Sequence, residues 1–132
     1  MAEQLKTYYR DYPIDKIVDM EKNKSINVLK FISYNEEIFK EHFINNPIYP
    51  GSLILNSILS AIELLVKNSE DFEGFSLMCI NKTNFRKPCK PGDLLEICIS
   101  AVALNNVMEA NFVTKSYFSK EVIANGLVSY GR

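Results

Sequence analysis

The sequence predicts an α+β domain in which one long, nearly all-apolar helix is held in a curved antiparallel sheet. Three observations lead there. The run from Ser52 to Lys67 has helical periodicity with apolar residues on almost every side. Four long segments rich in β-branched and aromatic residues follow it, joined by short polar links. The whole chain has 132 residues, the size of one ordinary domain, and 47% hydrophobic residues are enough for a core without disulfide or metal staples. No repeat, low-complexity tract or linker divides it, so a single domain over residues 1–132 is expected.

In chain order, residues 25–34 contain no Gly or Pro and read as a strand. An irregular stretch with two prolines leads to Pro50-Gly51-Ser52, where the Ser52 hydroxyl is the expected helix cap. The helix over Ser52–Lys67 spans roughly 24 Å at about 1.5 Å per residue. Asn56, Ser60, Glu63 and Lys67 recur at intervals of four, three and four, which makes one narrow polar stripe. Such a helix requires cover on nearly every side. Phe75–Phe85, Leu94–Leu104, Val107–Phe118 and Glu121–Tyr130 read as the strands that supply it, in the order of an antiparallel meander. Asn105-Asn106 and, more weakly, Ser119-Lys120 suit tight reversals, while Lys90-Pro91-Gly92-Asp93 marks a sharper break.

Composition excludes several classes. Lys plus Arg number 15 against 16 for Asp plus Glu, a net charge of −1, which disfavours a protein that grips nucleic acid through its phosphates. The longest apolar-rich stretch, Leu53–Val66, is broken by Asn56, Ser57, Ser60 and Glu63 and is too short to span a bilayer. Met1–Arg10 is polar and lacks the apolar core of a secretion signal. The cysteines Cys79, Cys89 and Cys98 are odd in number and form no C-x-x-C pair, so reduced thiols in a cytoplasmic protein are expected, with no metal and no redox cofactor.

The only histidine, His42, lies in Glu41-His42-Phe43-Ile44-Asn45-Asn46-Pro47-Ile48-Tyr49-Pro50-Gly51, which runs directly into the apolar helix. Free amides and the dipole at a helix start favour a developing negative charge, and Gly51 permits close backbone approach. A base at His42 with donors at Gly51 suits proton abstraction beside a carbonyl. On the residues alone, a surface or hydrogen-bonded histidine followed by ordinary Pro-Gly punctuation is the more usual reading.

This segment, followed by Asn84-Phe85-Arg86-Lys87-Pro88-Cys89-Lys90-Pro91-Gly92-Asp93-Leu94, resembles the two motif blocks of the hot-dog-fold 3-hydroxyacyl-[acyl carrier protein] dehydratases. Asn35-Glu36 and Phe39 also correspond, and Tyr12-Pro13 to Val18-Asp19 is similar to the family's Y-P-F-L-L-V-D entry, one residue longer. The resemblance implies a hot-dog fold and a homodimer or trimer of dimers with sites at the subunit interface. It also implies conversion of 3-hydroxyacyl thioesters, linked to acyl carrier protein or CoA, into trans-2-enoyl thioesters in fatty-acid or related synthesis. By position His42 matches the base that takes the α-proton, and Gly51 the glycine whose amide polarises the thioester carbonyl. The family's carboxylate, supplied by the other subunit fourteen residues beyond the histidine, is here Asn56.

Asparagine forms hydrogen bonds but supplies no proton at neutral pH, so the acid half of the pair is missing. Asn56 is left to orient a water or bind the substrate hydroxyl. Glu63, roughly 10 Å further along the helix, is a poor substitute. Glu41 and Ile44 also depart from the family's glycine and proline. An acyl-thioesterase, and a non-catalytic acyl-thioester-binding subunit, are therefore the alternatives to a dehydratase.

Phe43, Tyr49 and Phe85 are candidate acyl contacts, each equally a core residue. Lys82, Arg86, Lys87 and Lys90 place four positive charges within nine positions and form a candidate docking surface for an acidic carrier protein, or merely a solvated strand end. Cys89 reads either as a thiol nucleophile or, more simply, as a small packing residue.

Overall fold

The computed structural model describes residues 12–33 and 49–132. Among them lie strands β1 (Lys16–Glu21) and β2 (Ser25–Phe31), helix α1 (Gly51–Lys67), a 3-10 turn (Glu70–Phe72), and strands β3 (Ser76–Phe85), β4 (Leu94–Leu104), β5 (Val107–Ser116) and β6 (Val122–Gly131). One antiparallel sheet contains all six strands in the order β1-β2-β4-β5-β6-β3. The helix packs across one face, chiefly over β2 and β4. This is the α+β arrangement expected from the sequence.

Strand alternation decides which side chains meet the helix. On β4, Leu95, Ile97 and Ile99 are buried, and on β2 so are Ile26 and Val28. The helix presents Ile54, Ile58, Ala61, Ile62, Leu64 and Leu65, all buried. Each large aliphatic side chain withdrawn from water contributes about 1.5–3 kcal/mol. The polar stripe falls on the uncovered side, where Asn56 and Lys67 are exposed. Ser57 is the exception: it is fully buried, and its hydroxyl donates to the Pro13 carbonyl at 2.7 Å, fastening the entry segment to the helix.

Four details differ from the sequence-based expectation. The chain forms a further strand, β1, whose mostly exposed side chains give no apolar alternation to read. β3 does not neighbour β4; it crosses to the far edge and pairs only with β6, so the meander comprises β4, β5 and β6 alone. Ser52 does not cap the helix, because the cap is Pro50, whose carbonyl accepts from Leu53 and Ile54 at 3.1 and 3.3 Å. The β5–β6 link is wider than Ser119-Lys120: β5 stops at Ser116, and the Ser116 carbonyl accepts from Lys120, which takes a left-handed φ of 65°. At the other reversal Asn105 is left-handed, at φ 59°, as its residue type allows.

β3 is an open edge. Leu77, Met78, Ile80 and Phe85 are 40–57% exposed along it, a row of apolar side chains on a strand whose second edge pairs with no other strand among the described residues.

Candidate active site

A cavity of about 330 Å³ opens at the start of α1, lined by Tyr49, Gly51, Ile54, Phe85, Arg86, Lys87, Pro88 and Cys89. Two segments far apart in sequence are held together there by a single backbone bridge. The Tyr49 amide donates to the Cys89 carbonyl at 2.6 Å, and both residues are buried. Pro50 then turns the chain into the helix with φ −61° and ψ 139°.

No side chain caps this helix end, and no acidic residue lies in its first turn. The first intrahelical bonds begin at Leu53 and Ile54, so the amides of Gly51 and Ser52 have no partner among the described residues. Gly51 therefore offers the cavity an N–H group at the positive end of a 17-residue helix. The Phe85 ring lies over it. A Cβ on Gly51 would come within 3.0–3.2 Å of three ring carbons, tighter than ordinary contact, so the absence of a side chain lets the aromatic ring reach the helix start.

The cavity lining brings Gly51, Tyr49 and Phe85 together. Arg86 and Lys87 line the same cavity, whereas Lys82 and Lys90 are outside its lining. The Lys87 ammonium is paired with Glu121. Asn56 is exposed on the other side of the helix and does not reach the cavity within one chain; its carbonyl accepts the Ser60 hydroxyl at 2.8 Å. His42 and Phe43, with Glu41 and Ile44, lie outside the described residues.

Cys89 is fully buried in the cavity wall. Burial, with the Asp93 charge adding to it, pushes its thiol up to about 12. The thiolate needed for nucleophilic attack is scarce at neutral pH, which favours the packing reading. All three cysteines are free thiols. Among the described residues no group of three His, Cys, Asp or Glu side chains is placed to hold a metal ion, and no helix is long and apolar enough to cross a membrane.

Ile54 and Pro88 were not anticipated as cavity walls. Their signal was only adjacency to Gly51 and Phe85 along the chain, which the Tyr49–Cys89 bridge converts into adjacency in space.

A single apolar helix laid across a six-stranded antiparallel sheet in this order, with a cavity at the helix start, defines a hot-dog fold. Solved structures share it. PaaI from the E. coli phenylacetic acid degradation operon superposes with a TM-score of 0.72 at 12% identity, covering 89% of this chain and 82% of that one. The dehydratase heterocomplex ApeI:P from Xenorhabdus doucetiae gives 0.71 at 10% identity, covering 98% and 88%. Within that fold, the FabA-like domain model matches residues 12–127, and the chain belongs to the FabA-like family. Among its relatives, the 3-hydroxyacyl-[acyl-carrier-protein] dehydratase FabZ of Levilactobacillus brevis is 38% identical over 96 residues, or 69% of this chain and 65% of that protein. The FabZ protein of Campylobacter hominis is 39% identical over 88 residues, 63% of this chain and 61% of the relative. The matched region spans slightly less than two thirds of these curated relatives.

Proposed function

We propose that this protein interconverts 3-hydroxyacyl and trans-2-enoyl thioesters carried on acyl carrier protein or CoA, as part of fatty-acid or related acyl-chain synthesis. The observation that carries this reading is the Gly51 amide, without a partner among the described residues, at the start of α1, opening into a cavity walled by Ile54, Phe85, Pro88 and Tyr49. An amide in that position stabilises the charge that builds on a thioester oxygen when a neighbouring C–H is deprotonated.

In the dehydration direction His42 removes the α-proton, the electron pair forms the Cα–Cβ double bond, and the Cβ–O bond breaks. The departing hydroxyl takes its proton from the imidazolium just formed and leaves as water. Asn56 of a second copy hydrogen-bonds that hydroxyl but cannot protonate it. A positioned acid is commonly worth ~10²–10⁴-fold, so turnover is slow relative to a site that has a carboxylate.

A homodimer, with a trimer of dimers as the larger assembly, supplies the second copy. The open edge of β3 and its exposed Leu77, Met78, Ile80 and Phe85 support pairing there. Free thiols fit a cytoplasmic setting. Asn56 also favours a second reading, an acyl-thioester-binding subunit without turnover.

Hydration of trans-2-butenoyl-CoA, followed by loss of enoyl absorbance in wild-type and His42→Ala proteins, separates these. Activity that disappears in His42→Ala supports the dehydratase. Release of free CoA thiol would show a thioesterase instead. Tight binding with no turnover in either protein would show the non-catalytic subunit.

A further inference from the structure

The outer face of the sheet, opposite the helix, carries a second depression of about 400 Å³ whose lining includes Lys82, Asn84, Arg86, Asn111, Asn125 and Leu127. The strand register explains why these residues meet. On β5, Asn111 and Val113 alternate with buried Ala110, Phe112 and Thr114, so they point away from the helix. Leu127 is opposite both Asn111 and Lys82, and Asn125 is opposite both Val113 and Asn84. Three carboxamides and an ammonium thus share one face over an apolar floor. The Asn84 amide donates to the Asn125 side-chain oxygen at 3.3 Å, which leaves the Asn125 NH₂ group to turn outward.

Charge distinguishes this patch from its surroundings. Lys87 is paired with Glu121 and Lys120 with Glu96, but neither Lys82 nor Arg86 has a carboxylate partner among the described residues. Arg86 also lines the cavity at Gly51. It therefore stands where the two hollows meet, with Lys82 about 14 Å further along β3. Arg86 thus borders both the cavity at Gly51 and the outer depression, and the arm common to CoA and acyl carrier protein bears a phosphate.

We propose that the Lys82–Asn84–Arg86–Asn125 depression is a phosphate-binding site that takes the phosphate of the phosphopantetheine arm while the acyl thioester occupies the cavity at Gly51. The inference rests on the thioester reading above and adds a recognition site on the opposite face of the sheet. Two cations with no carboxylate partner among the described residues supply charge-assisted bonds to phosphate oxygens, and the carboxamide NH₂ groups supply further donors. Of the four cations expected to dock a carrier, this assigns phosphate recognition to Lys82 and Arg86. Lys87 is committed to Glu121.

Isothermal titration of the full chain at low ionic strength with 4′-phosphopantetheine, pantetheine and inorganic phosphate tests it. The expected result is at least tenfold tighter binding of phosphopantetheine than of pantetheine. That preference disappears in Lys82→Gln/Arg86→Gln and persists in Lys82→Arg and in Lys22→Gln, a change in the β1–β2 turn. Equal binding of phosphopantetheine and pantetheine by the wild type overturns the proposal. Inorganic phosphate binding as tightly as phosphopantetheine also overturns it, because the site would then hold free phosphate. Turnover of the N-acetylcysteamine thioester, which carries no phosphate, reports separately on the catalytic reading. Turnover without phosphate preference sinks this inference alone, and phosphate preference without turnover sinks only the dehydratase.

Discussion

The ring of Phe85, at the end of β3, rests against the backbone of Gly51 at the first turn of α1, where even one methyl group would come within 3.0–3.2 Å of it. Gly51 and Phe85 line the same cavity, and Phe85 is 47% exposed, so the ring borders the space into which the Gly51 amide opens.

Gly51→Ala is expected to leave the melting temperature within a few degrees of wild type. Alanine is favoured over glycine in a helix by about 1 kcal/mol, and a half-exposed ring has room to rotate. Hydration of trans-2-butenoyl-CoA should nonetheless fall at least tenfold, because methyl and ring now crowd the amide. Gly51→Ala/Phe85→Leu should recover part of the loss. If the single variant keeps full activity, the amide is not the oxyanion donor.

Asn56 is exposed, and among the described residues its side chain makes no hydrogen bond. Asn56→Glu should therefore change stability by only about 0.5 kcal/mol, while supplying the absent acid. Dehydration of a 3-hydroxybutanoyl thioester should speed up by ~10²-fold or more. No gain, with folding intact by circular dichroism, would mean that this position does not address the substrate in the assembled protein.

Burial raises the Cys89 thiol from 9.0 and the Tyr130 hydroxyl from 10.0, each to about 12. In both cases the folded state keeps its proton where the unfolded chain has lost it. Unfolding is thus favoured as pH climbs from about 9 toward 12, and the stability held below that window is lost across it. Urea midpoints measured from pH 8 to 11 should fall steadily, with Cys89→Ala flattening the first part of the decline. Iodoacetamide at pH 8 should label exposed Cys79 well before Cys89.

Gly126 is required by packing. A methyl there would overlap the Lys82 carbonyl at the β3 bulge and meet the Phe112 ring at 2.6–2.7 Å. Gly126→Ala should cost several kcal/mol or prevent folding, measured by urea denaturation. Adding Phe112→Leu should not rescue it, since the backbone oxygen remains in the way.

Much of this architecture was legible from residue spacing. The helix could be read because Asn56, Ser60, Glu63 and Lys67 fall on one narrow stripe of an otherwise largely apolar surface, and β4 because both its ends are marked by turn residues. β1 was hidden by its exposed, charged side chains. The edge position of β3 was hidden for a different reason: a strand's neighbour depends on the path of the whole chain, and Ser76–Phe85 has the same composition whether it pairs with β4 or β6. At the site, Tyr49, Gly51 and Phe85 were found through paired motifs, and the structure joins them through the Tyr49–Cys89 bridge. The division of the basic cluster needed strand parity and the place of Glu121, 34 residues beyond Lys87. His42, the proposed base, falls outside the described residues.

The far-edge placement of β3 also has a consequence for biosynthesis. Its one strand neighbour among the described residues, Val122–Gly131, is translated some forty residues later. Until then a nascent chain carries a sticky, unsatisfied ribbon that the β4–β5 hairpin, though able to close early, cannot shield. Ribosome stalling between Leu104 and Val122 should therefore expose a chaperone-binding segment centred on Leu77 to Ile80.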